Sequence, residues 1–119
     1  MEATERFTSD CWVASALLKK KLNYSATRFN QMLGDHGGVE TARRLINSGA
    51  PSQGFEVLWE HHRLDLSVEA IAILPDYAEL FTSEELASAR QRLLDHSFDV
   101  EAYLTCAQTQ RPPWETPPR

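Results

Sequence analysis

Cysteine is nearly absent from this chain: Cys11 and Cys106 stand 95 positions apart without neighbouring ligand residues. That excludes a disulfide framework and a cysteine zinc site, and it favours two small apolar residues on helical faces over a bridge between the terminal helices. Glycine is scarce as well, with five in 119 residues. Gly34, Gly37 and Gly38 lack both the lysine and the preceding strand of a phosphate-binding loop. There is no Gly-x-Ser-x-Gly elbow, and the adjacent pairs Asp35-His36 and Asp95-His96 diverge on a helix. No apolar run approaches the ~18 residues of a membrane span, and Met1-Glu2-Ala3-Thr4-Glu5-Arg6 lacks the basic and apolar regions of a secretory signal, so a cytoplasmic protein is expected. Positive charge is also short. Twelve Lys and Arg against 17 Asp and Glu leave a formal charge of -5, which excludes a global attraction to polyanions.

What the chain does have is 42% hydrophobic residues, enough for one globular core at this length, spread at helical period. Phe7, Cys11, Ala14, Leu17, Leu18 and Leu22 recur at steps of three and four over 8–22, with Trp12 and Val13 widening the stripe and Lys19-Lys20-Lys21 at the cationic end of the helix. Phe29, Met32, Leu33 and His36 mark a second helix over 25–36, closed by Gly37-Gly38. A third, 39–47, carries Val39, Ala42, Leu45 and Ile46 inward and ends before Gly49 and Pro51.

Ser52 caps a fourth helix with Phe55, Leu58, Trp59 and His62 at i, i+3, i+4 and i+7. Asp65 or Ser67 caps a short fifth over 68–74. Its run Ala70-Ile71-Ala72-Ile73-Leu74 also suits a buried strand, but no second strand exists to pair with it, so helix is preferred. Pro75, Asp76 and Glu79 open a short sixth segment ending at Phe81. Thr82-Ser83-Glu84-Glu85 reads as a capping box ahead of a long helix with Leu86, Ala89, Leu93 and Leu94 buried and Glu84, Glu85, Arg90, Gln91 and Arg92 in solvent. Asp99 caps the last helix, with Phe98 against Tyr103. Residues 1–109 are thus expected to form a single all-α domain of about seven short to medium helices, an irregular orthogonal bundle. The proline-rich 110–119, with Trp114, is expected to be an extended tail.

The densest polar cluster is Glu56, Glu60, His61, His62, Arg63, Asp65 and Glu69. No histidine stands in i, i+4 or Glu-x-x-His register with Glu56 or Glu60, so terminal histidines on helix carbonyls and a Glu60–Arg63 pair are the plainer reading, and no metal or cofactor is expected.

The segments Ala26-Thr27-Arg28-Phe29, Met32-Leu33, His36-Gly37-Gly38 and Leu80-Phe81-Thr82, and above all the string Gly-Phe-x-x-Leu-Trp-Glu-x-x-Arg-Leu-Asp-Leu-Ser-Val-Glu from Gly54 to Glu69, resemble a family of small bacterial all-helical proteins with no established activity. The resemblance spans about 70 positions and implies a bacterial origin and one helical unit, with no catalytic residue. Within the string, Phe55, Leu58 and Trp59 are expected to pack inward and Arg63 to hold the turn through Asp65 or Glu69. The sharper expectation is that Trp59, Glu60, Arg63 and Asp65 edge a recognition groove, since Trp and Arg are enriched at binding hot spots, with Trp114 as a further contact.

A non-catalytic protein–protein interaction or adaptor module is therefore expected. One alternative is a nucleic-acid-associated factor, which needs Lys19 to Lys21, Arg28, Arg43 and Arg44 on one face. The other is a small hydrolase or metal-binding protein built on Glu56, Glu60 and His61 or His62.

Overall fold

A computed structural model describes residues 2–109; Trp114 and the tail 110–119 lie outside the described residues. Helix α1 (Ala3–Leu22) begins five residues earlier than the hydrophobic stripe requires, with Glu5 in its first turn, where negative charge is favoured. Phe7, Cys11, Ala14 and Leu18 are all buried on one face. The helix stops at Asn23, whose φ of 54° is the left-handed conformation that asparagine tolerates.

Helix α2 (Thr27–Ile46) runs antiparallel to α1, as two cross-contacts fix: the Ser15 hydroxyl donates to Asn30, and the Gly38 amide donates to the Thr8 hydroxyl at 3.0 Å. It is broken at Gly37, whose φ of 81° and ψ of 171° suit glycine alone, so the two helices expected on either side of this position are present. Gly38 has a separate reason to be glycine. A β-carbon there would sit 2.7 Å from the Thr8 Cα, so the two backbones could not approach as they do.

Ser52 caps α3 (Gln53–Glu60) by accepting from the Phe55 amide at 3.1 Å. A 3-10 turn, Leu64–Leu66, leads into α4 (Val68–Ala72), where the Ser67 hydroxyl accepts from the Ala70 amide and donates to the Leu64 carbonyl. Residues 64–74 are buried without exception. That explains why 70–74 show no periodicity: a helix enclosed on all sides has no polar face to reveal its turn. The packing around α4 comes from α1, α2 and α5.

A second 3-10 helix, Pro75–Leu80, buries Tyr77, whose hydroxyl donates to Asp10. The Thr82–Glu85 capping box opens α5 (Ser83–Asp95) with both reciprocal bonds made. Asp99 accepts from the Ala102 amide at the start of α6 (Val100–Thr109), and Phe98 lies 5.4 Å from Tyr103, ring centre to ring centre. Among the described residues there is no strand, no helix long and apolar enough to cross a membrane, and no disulfide between Cys11 and Cys106. The Cα radius of gyration is 12.9 Å, close to the ~13 Å of a compact domain of about 100 residues.

Several side chains depart from their expected places: Trp12 and Val13, expected to widen the stripe of α1, are exposed, as is His62, expected on the stripe of α3. On α5, Leu94 is 50% exposed, whereas Glu85 is buried and Arg92 half-buried. Ala89 and Leu93 centre the inner face. Glu85 and Arg92 stand about 60° and about 80° from that centre line, on one side of it, while Leu94 stands about 120° away on the other. Trp59 is 47% exposed, because α3 packs chiefly against the 3-10 turn Leu64–Leu66 and only part of its heavy apolar face is covered. Arg63 ignores Glu60 and pairs with Asp65 through two parallel bonds of 3.0 and 3.1 Å.

Candidate functional site

A cleft of about 390 Å³ lies between the α1–α2 hairpin end, the start of α3 and the segment entering α4. That volume lies in the range of ligand and side-chain pockets. Its depth is apolar for sequence reasons already described. Leu18 comes from the stripe of α1, Phe29 and Met32 from the first half of α2, Leu45 from its end, Phe55 and Leu58 from the capped α3, and Leu66 and Val68 from the buried run. Tyr24 and Pro51 complete the wall, and Thr27, Arg28, Arg44, Ser48, Ala50 and Gln53 are exposed at the rim.

The polar groups of the walls are mostly engaged within the fold. Ser15 donates to Asn30, Ser48 donates to the Ala50 carbonyl at 2.6 Å, Ser52 caps α3 and Ser67 caps α4. Glu69, 2% exposed, is the only acid in the lining. Its Oε2 accepts from Arg92 at 2.9 Å, and the same guanidinium donates to the Leu45 and Ser48 carbonyls at 3.0 and 2.8 Å. Arg92 thus ties α5 to the end of α2 and to the floor of the cleft at once. Burial pushes the Glu69 carboxyl above the ordinary carboxylate range, and the Arg92 hydrogen bond opposes it.

At the rim the charge is positive. Arg28 has no carboxylate partner among the described residues, and Arg44 pairs with the exposed Glu40 one turn away at 2.8 Å. Two helix starts also meet there. Thr27, Arg28 and Phe29 belong to the first turn of α2, whose N-cap is Ala26 and supplies no side-chain acceptor, and Ser52, Gln53 and Gly54 begin α3. First-turn amides carry the partial positive end of a helix.

The residues expected to edge a groove are distributed differently. Trp59 stands edge-on to His96 at 5.3 Å, beside Phe55, which meets the same imidazole at 4.8 Å. Glu60 is exposed at the end of α3. Arg63 and Asp65 close on each other, and Asp65 is 4% exposed, so this pair holds the turn. Trp114 lies outside the described residues. Of the four described residues, Trp59, Glu60, Arg63 and Asp65, none lines the cleft; their neighbours Phe55, Leu58, Leu66, Ser67, Val68 and Glu69 do.

Of the cations considered for nucleic acid, Arg28 and Arg44 both stand at the cleft rim, while Arg43 pairs with the buried Glu85 at 3.1 Å and Arg44 with Glu40. Glu56, Glu60, His61 and His62 are all exposed, with His61 Nδ1 at 3.0 Å from the Val57 carbonyl, and no three metal-ligating side chains converge among the described residues. Compared with family models, with curated proteins and with solved structures, the chain matches none of them.

Proposed function

We propose that this chain is a protein-interaction module that receives an apolar element of a partner in the cleft between α2 and α3. The observation that carries the reading is the pairing of that apolar, solvent-open depth with walls whose serines and single acid are already engaged in caps and ion pairs. Recognition needs apolar surface and a few orienting groups at the edge, whereas turnover needs convergent groups left available for proton or nucleophile chemistry.

A photo-crosslinking residue in place of the exposed Gln53, compared with one at the exposed Glu101 on α6, tests this in living cells. Discrete protein adducts are expected from position 53 only, and they should vanish when Ala50→Trp fills the cleft. The absence of adducts at 53, or the same adducts at both positions, overturns the reading.

A further inference from the structure

We infer that the element received is an amphipathic helix whose apolar stripe is bordered by carboxylates; this rests on the module reading above and adds the chemistry of its occupant. Two features of the cleft select that chemistry. Its backbone is in helices and their connecting turns, and among the described residues no strand edge is offered, so an extended peptide would find no ladder for its own amides and carbonyls. A helix satisfies its backbone internally and needs only a trough for side chains at i, i+3, i+4 and i+7, which Phe29, Met32, Leu45, Phe55 and Leu58 supply.

The charge at the mouth decides the flanks. In a chain of net charge -5, this rim shows Arg28 with no acid partner among the described residues, Arg44 in an exposed i, i+4 pair with Glu40, and first-turn α2 amides without a side-chain cap. The one acid of the lining, Glu69, faces Arg92 and presents no second repulsive charge of comparable freedom. The rim is exposed on several sides and would leave a small acid incompletely enclosed, which favours a helix lying across the trough over a free fatty acid.

Two fluorescein-labelled synthetic peptides of about five helical turns, with one Leu/Phe stripe and either Glu or Lys flanks, serve as probes in anisotropy titrations of the full chain. The Glu peptide should bind saturably and about tenfold tighter than the Lys peptide at low salt, with the gap narrowing as salt is raised. Arg28→Glu should reverse the preference with an unchanged thermal melt, and Ala50→Trp should abolish binding of both. Equal affinity for both peptides, still blocked by Ala50→Trp, overturns the acidic flank and leaves the module reading standing. No saturable binding of either peptide overturns the helix, and persistence of the position-53 adducts in cells then shows that the module reading has survived it. Competition-sensitive binding of dodecanoate alone, lost in Ala50→Trp, assigns the cleft to a small acid and overturns the proposal.

Discussion

One side of the molecule is closed and the other is not. Where α1 meets the second half of α2 and the Pro75–Leu80 segment, Phe7 is fully buried, with Tyr77 and Phe81 edge-on at 5.2 and 5.3 Å. Gly38 lets the backbones touch, and Cys11 is enclosed so completely that burial, helped by the Asp10 charge, pushes its thiol far above the ordinary value. Around the cleft the apolar residues are of the same kinds, yet Phe29 and Met32 are only half-buried and α3 has one substantial neighbour. The difference is one of coverage. Apolar surface stabilises this fold where a second element lies over it, and where none does the same surface stays open to solvent.

The contrast is sharpest in truncation. Phe7→Ala should cost about 3–5 kcal/mol, while Met32→Ala should cost about 1–2 kcal/mol because Met32 is only half-buried. Urea midpoints at unchanged m-value read both, and equal losses would erase the distinction between the two sides. Next comes the tie between them. Arg92→Met leaves Glu69 buried without its partner and should cost about 3 kcal/mol, most of it recovered in the double variant with Glu69→Leu, since an apolar pair of similar volume replaces a buried ion pair at little net loss. A double-mutant cycle measures that coupling, and strict additivity would show that the two side chains act independently.

The smallest expected effect separates two buried glutamates. Glu85 is held down to about 2 from 4.5: burial alone would raise it, but the Thr82 amide, Asn47 and Arg43 together outweigh that. Its contribution is therefore complete above about pH 4.5 and is lost as the pH falls toward 2. Glu69 has the opposite sign, because an acid raised by burial becomes less unfavourable as it protonates. Glu85→Gln keeps the acceptor for the Thr82 amide but turns its own NH2 toward the donors Asn47 and Arg43, so it should lower stability at pH 7 by about 2 kcal/mol and flatten the loss between pH 4.5 and 2. An acid limb identical to that of the unmodified chain in thermal melts recorded across this window would remove Glu85 from its cause.

Local rules made much of the fold legible. Ser52, Ser67, Thr82 with Glu85, and Asp99 all cap where their side chains and spacing predict, because capping joins groups only a few residues apart. The cleft was far less legible. Its wall gathers side chains from residue 15 to residue 69, and the groove expected at Trp59, Glu60, Arg63 and Asp65 named residues of the same string that do not line it. Arg92 was read as solvated because a helical stripe drawn from apolar residues alone omits a long cation on the same face. Its register beside Ala89 and Leu93 was the available signal.

By itself, then, the sequence determined an all-helical chain, the break between 22 and 25, the stop at Gly37, its caps, and helix over strand for 70–74, a run with no second strand to pair with. Tertiary structure alone decided which apolar faces are covered, which buried acid meets which arginine, and that Leu18, Met32, Leu45 and Phe55 share one cleft. The physical reason is range. Caps and periodicity act within a turn or two of the chain, whereas coverage depends on which distant element lies over a given face, and Trp59 has the same stripe register as Phe55 with far less above it.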